Sequence, residues 1–275
     1  RTGATLKWFD LDSEGRILSN TADEVITERT KIVAVTHVGN TTGAITDIAP
    51  MVKRAHEVGA VVVLDACQSV PHLKIDLHAL DVDFAAWSAH KMYGPTGVGF
   101  LYGKRDMLEA LPPANFGGSM VELAWMDQEA QYMAPPARFE AGTQPVAQVV
   151  AAGVAAEWLM NIGMENLEAH ERVIAGELLK MGQIDGVRIL GPQTNEQRIG
   201  TVAFEIDGVH PHDVGQFIDA QGIAIRVGHH CAQPVHRHFG VYASNRASSG
   251  IYNSVEDAQA LVEALKKVRP FFGVE

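Results

Sequence analysis

Three short apolar runs constrain this chain more than anything else in it. KIVAVTHV (31–38), AVVVLDA (60–66) and DFAAWSA (83–89) are each nearly unbroken in hydrophobicity. A strand with one wet face alternates apolar and polar residues, whereas an unbroken run implies cover on both faces, as in parallel sheets. Between the first two lies DIAPMVKRAHEVG (47–59). It reads as a helix that Asp47 can cap, with Pro50 in its first turn and Gly59 to end it. GVGFLYG (97–103) reads as a fourth strand. Strands alternating with helices predict an α/β fold with a mostly parallel sheet flanked by helices.

The pattern loosens from Leu111 to Gln144, and no long regular element is expected there. Helices are predicted over 145–161 and 164–182, with Gly163 between them. A smaller α/β unit then follows. VRIL (187–190), GTVAFEI (200–206) and IAIRVG (223–228) read as strands, and HPHDVGQFIDAQG (210–222) as a helix ended by Gly222. SVEDAQALVEALKKVRPFF (254–272) is an amphipathic helix capped by Ser254, with acids in its first turn and bases in its last. The expected division is a large domain over 1–160 and a small C-terminal domain over 161–275.

Composition removes several classes of function. The net charge of −11 argues against wrapping a nucleic-acid backbone, which needs clustered Lys and Arg. The longest apolar run, 149–160, is shorter than the ~18 residues of a membrane span. No signal peptide is evident, and the chain opens on Arg1 in mid-phrase, as a piece of something longer would. Cys67 and Cys231 are its only cysteines, which suggests no disulfide framework and a reducing, cytoplasmic setting.

In open parallel sheets, ligands bind beyond the carboxyl ends of the strands. Thr36, His37 and Asn40 close the first run. Asp65 closes the second, with Gln68 three residues on. Ser88, His90 and Lys91 close the third. Singly, each has a plainer role: Asp65 as a turn former, Lys91 as a solvated edge residue, His37 as a hydrogen-bonded histidine near the core. Together they suit pyridoxal phosphate. That cofactor needs a lysine for a Schiff base with its aldehyde, an acid to keep its pyridine nitrogen protonated, and small donors for its phosphate. The Gly-Pro-Thr-Gly loop, residues 94–97, lets the backbone turn sharply beside the lysine.

VVVLDACQSVPH, WSAHKMYGPTGVGFLY, RFEAGTQ and RVGHHCAQP resemble stretches of the class V aminotransferase family of pyridoxal-phosphate enzymes. Within it they are most similar to the SUF-type (group II) cysteine desulfurases, which include selenocysteine-lyase-like members. The resemblance runs from Arg1 to about Phe272 and implies the type I fold of pyridoxal-phosphate-dependent transferases. It implies a role for each matching residue. Lys91 would carry the cofactor and move protons at the substrate Cα. Asp65 would pair with the pyridine nitrogen and Gln68 with the phenolic oxygen. Ser88 and His90 would hold the phosphate, and Asn40 would lie beside the ring. Thr143 would reach the phosphate in the partner subunit of a homodimer. Arg246 would clamp the substrate carboxylate, with Arg226 close by. Cys231 would take sulfur from L-cysteine as a persulfide, leaving L-alanine, and pass it to an acceptor or scaffold protein of iron–sulfur cluster assembly. L-selenocysteine, another class V chemistry, and a truncated, catalytically incomplete protomer are the alternatives.

The remaining candidates read more plainly. Cys67 sits among apolar strand residues and is expected to be a small buried hydrophobe. His229, His230, Cys231, His236 and His238 crowd ten residues, but their spacing matches no familiar structural zinc pattern, and no metal is expected. His210 and His212 are expected at a solvated helix start.

Overall fold

The computed structural model describes residues 2–274. Its elements run α1 (Ala22–Val25), β1 (Ile32–Thr36), α2 (Ala49–Glu57), β2 (Val61–Asp65), β3 (Phe84–Ser88), β4 (Gly99–Gly103) and α3 (Arg105–Ala110). A short pair follows, β5 (Val121–Leu123) and β6 (Gln131–Tyr132), then α4 (Val146–Ile162) and α5 (Met164–Leu179). The remainder is β7 (Val187–Ile189), β8 (Thr201–Ile206), α6 (Pro211–Asp219), β9 (Arg226–Gly228), α7 (Gln233–Phe239), β10 (Ser244–Ser248), α8 (Val255–Leu265) and α9 (Val268–Phe272).

The first sheet has the order β1-β2-β3-β4. The first three strands are parallel, and β4 returns antiparallel to β3. The mostly parallel sheet is therefore present, with its last strand reversed. A helix connects β1 to β2, but turns alone connect β2 to β3. Register sets Thr36 beside Asp65, and Asp65 beside Ala86, so the strand ends line up. Val33, Val35, Val62, Leu64 and Ala85 pack with Met51 and Val52 of α2 into the first core.

The second sheet has the order β7-β8-β10-β9, and every neighbouring pair is antiparallel. Its core joins Val202, Phe204 and Ile206 to Ile174 and Leu178 of α5, Ile218 of α6, and Leu261 and Leu265 of α8. Ser254 caps α8 in a reciprocal capping box with Asp257. The single helix expected over 254–272 is broken after Leu265, and α9 resumes at Val268. His210 caps α6 by accepting the N–H of His212.

Met92, beside the lysine, packs against Leu159 of α4 and Leu167 of α5. Among the described residues no single helix is long and apolar enough to cross a membrane. α4 and the helical stretch to Gln183 reach that length and composition only together, and they are bent by 77° at Gly163.

Candidate active site

The strand ends converge as their register requires. Thr36 donates its hydroxyl to Asp65 Oδ2 at 3.3 Å, and the Cys67 N–H donates to Asp65 Oδ1 at 2.9 Å. The Asp65 side chain is exposed and faces outward from the end of β2. Beyond β3 the chain makes one short helical turn, Ala89–Lys91, closed by Met92 N–H and Gly94 N–H on the Ala89 carbonyl. A Cβ on Gly94 would meet that same carbonyl at 2.9 Å, so a side chain there would push the turn open. The turn leaves Lys91 exposed, with no hydrogen-bond or ion-pair partner among the described residues.

Cys67 corrects the expectation of a buried hydrophobe. β2 ends at Asp65, so residue 67 belongs to the turn and its side chain enters the crevice. Its Sγ lies 4.0 Å from Ser88 Oγ and is partly exposed. Burial and the neighbouring Asp65 push its thiol up, while Lys91 and Ser88 draw it down. His37 is near-core, as expected, but its Nδ1 has no hydrogen-bond partner among the described residues, and burial lowers its affinity for a proton.

A second cluster meets the first through Asn40. Its side-chain amide donates to the His230 carbonyl at 2.5 Å, and its own carbonyl accepts from Arg246 Nη1 at 3.0 Å. Arg246 lies on β10 opposite Arg226 on β9. Burial, and then the neighbouring Arg226, pull the Arg246 guanidinium below the usual arginine range, against the opposing influence of Cys231. Cys231 is exposed and free. It and His230 both adopt left-handed backbone angles, φ 62° and 51°. Non-glycine residues pay ~1–2 kcal/mol each for that conformation.

His230 is 1% exposed, and its pKa is lowered to about 3 by burial first, then by Arg246, His236 and Arg226. Its Nε2 lies 3.1 Å from Ser244 Oγ, and His236 Nε2 lies 2.9 Å from the same oxygen. Sequence reasoning passed over Ser244, because SNRAS carries no apolar signature of a strand. Among the described residues, no group of three or more His, Cys, Asp or Glu side chains is placed to hold a metal ion.

Of the residues singled out from sequence, the structure brings Asp65, Ser88 and Lys91 to adjoining strand ends, Arg226 and Arg246 together on β9 and β10, and Asn40 and Cys231 to the loops beside those two strands. Gln68 is half-buried in the turn after β2, and His90 is exposed beside Lys91. Thr143 is exposed on the segment leading into α4, and no contact among the described residues joins it to either cluster.

A family-wide sequence model, Aminotransferase class-V, matches residues 1–261. The chain belongs to the class V aminotransferase family. Among class V relatives, "Probable cysteine desulfurase 2" of Mycobacterium leprae is 49% identical over 100% of this chain and 65% of its own length. "Probable cysteine desulfurase" of Streptomyces coelicolor is 46% identical over 99% of this chain and 65% of its own length. This class V chain thus spans about two thirds of the length of those relatives. Among solved structures, the apo cysteine desulfurase from Thermococcus onnurineus superposes with a TM-score of 0.92 at 32% identity, over 96% of this chain and 66% of that one. The cysteine desulfurase CsdA from Escherichia coli gives 0.89 at 35% identity, over 95% and 64%.

Proposed function

We propose that this chain serves a pyridoxal-phosphate-dependent cysteine desulfurase, which converts L-cysteine to L-alanine and leaves the sulfur as a persulfide on Cys231. The observation that carries the reading is the bridge at Asn40. It brings an exposed thiol and a guanidinium from one sheet to the strand ends of the other, where an unpaired amine and an outward-facing carboxylate lie.

The donor set fits the cofactor. A lysine without a partner can be joined to an aldehyde, and Asp65, with room beyond its two local hydrogen bonds, can hold a ring N–H. When bound, pyridoxal phosphate supplies an electron sink that lets bonds at Cα and Cβ of an amino acid break. Lys91 would tether it and move the proton at Cα. Asp65 would keep the pyridine nitrogen protonated, and Gln68 would meet the phenolic oxygen. Ser88 and His90 would hold the phosphate, with Thr143 reaching the one in the partner subunit. Asn40 would lie beside the ring. Arg246 and Arg226 would hold the substrate carboxylate. The Cys231 sulfur would take the substrate sulfur as the Cβ–S bond breaks: one S–S bond would form, and the electron pair left at Cβ would take up a proton.

The finer parts of the proposal rest on separate observations. α4 is apolar on nearly every side, and Val146, Val150, Val154 and Met160 are each more than 60% exposed. Such a face supports a homodimer. The two free thiols support a reducing, cytoplasmic compartment. A surface-exposed Cys231 supports delivery to a protein acceptor, a scaffold of SUF-type iron–sulfur assembly. The separate cores, with the bend at Gly163, support a division into 1–160 and 161–275.

The test is borohydride reduction of the protein after mixing with pyridoxal phosphate, followed by peptide mass spectrometry. A pyridoxyl group on Lys91, with alanine formed from cysteine and both lost in Lys91→Ala, is the expected result. Reduction that leaves Lys91 unmodified overturns the reading.

A further inference from the structure

We propose that Ser244 and His236 are positioning residues for Cys231, holding the strained turn that presents its thiol. The inference rests on the reading of Cys231 as the sulfur acceptor, but its structural part can be tested without it.

The hydrogen atoms can be counted. His236 Nδ1 lies 3.0 Å from the Ala232 carbonyl. A carbonyl only accepts, so Nδ1 carries the hydrogen. With both rings neutral, His236 Nε2 then accepts, and the hydroxyl of Ser244 is the donor 2.9 Å away. The Ser244 oxygen in turn accepts from His230 Nε2, at 3.1 Å. The direction is fixed along the whole path: His230 to Ser244 to His236 to the Ala232 carbonyl. This leaves His230 Nδ1 as a bare, buried lone pair, and it is indeed the ring nitrogen without a partner. Burial beside two guanidiniums keeps His230 neutral, as the path requires.

The path encloses one residue. It starts on the side chain of residue 230 and ends on the backbone of residue 232. His230 is also gripped by Asn40 at its carbonyl, and the Ala232 N–H donates to the His229 carbonyl at 2.8 Å. Both neighbours of Cys231 are therefore held, while Cys231 itself is exposed. Residues 230 and 231 adopt left-handed backbone angles without being glycine, so contacts outside the turn must impose that shape. Ser244 and His236 are 0% and 1% exposed, which makes their polar atoms costly unless they serve each other.

The test pairs His236→Leu with His236→Gln, since glutamine can still accept from Ser244 and leucine cannot. Hydrogen exchange at the amides of residues 228–232 should quicken roughly ten-fold or more in His236→Leu and recover in His236→Gln. In turnover with L-cysteine, kcat should fall by about the same factor in His236→Leu while KM stays within about two-fold, because the carboxylate-binding arginines are untouched. Unchanged exchange in His236→Leu overturns the proposal. Should that variant fail to fold, nitrogen-15 shifts of the unaltered protein decide: His230 protonated on Nε2 and His236 on Nδ1 support it, and the opposite pair of tautomers overturns it. Correct tautomers and a protected turn, with no sulfur reaching Cys231, would sink the desulfurase reading and leave this one standing.

Discussion

Arg226 and Arg246 lie opposite one another across the antiparallel β9–β10 pair, two like charges in register. Directly opposed residues share a face of the sheet, and like charges there repel. Among the described residues only Arg246 Nη1 is engaged, on the Asn40 carbonyl, and Arg246 Nε is buried without a partner. A carboxylate offered to this pair relieves both the repulsion and the unmet donor. Arg246→Lys keeps the charge and loses the planar fork. Its KM for L-cysteine is expected to rise roughly ten-fold or more, with the Lys91 adduct retained. Steady-state kinetics beside borohydride labelling would check this, and an unchanged KM would place the carboxylate elsewhere.

His230 makes stability depend on pH with a defined sign. Its pKa falls from the ordinary 6.5 to about 3 in the folded chain. The unfolded chain therefore binds a proton that the folded chain refuses, throughout that interval. The contribution is fully present above about pH 6.5 and is lost progressively as pH falls toward 3. Chemical denaturation at steps across this range should show declining stability, and His230→Gln should flatten the slope. A slope identical in both proteins would mean that other groups set it.

Two side-chain contacts join the turn region after β2 to α5, and they should behave differently. His72 Nδ1 meets Glu171 Oε1 at 2.7 Å, with Glu171 2% exposed. Lys74 meets Glu165 at 2.5 Å in open solvent. Removing His72 leaves the buried Glu171 oxygen without its hydrogen-bond partner, so His72→Ala is expected to cost roughly 3 kcal/mol. Lys74→Ala should have no measurable effect, because water screens that pair. Denaturant midpoints of the two variants would decide it.

How far the sequence could be read followed from where polarity fell. Strands β1, β2 and β3 announce themselves as apolar runs, and Asp65, Ser88 and Lys91 stand out because polar residues end them. β10 was invisible for the opposite reason. It is a central strand, yet its sequence is SNRAS, with Ser244 and Asn245 fully buried. Ser244 is buried there because His230 and His236, distant in sequence, meet its hydroxyl, and such partners leave no local pattern. Cys67 misled because the run VVVLDA continues in composition past the point where the strand stops in space. β4 looked like one more strand of a parallel sheet, since an apolar run carries no sign of direction.

The reversal of β4 carries a consequence for assembly. Lys91 sits in the connection between two strands that are neighbours both in sequence and in the sheet, with residues 89–98 between them. Closing so short a loop costs little chain entropy. The turn that carries Cys231, by contrast, is tied to the loop after β1 by the bond from Asn40 to His230, 190 residues away. The amine's surroundings can therefore take shape locally, whereas those of the thiol depend on docking between segments far apart in the chain.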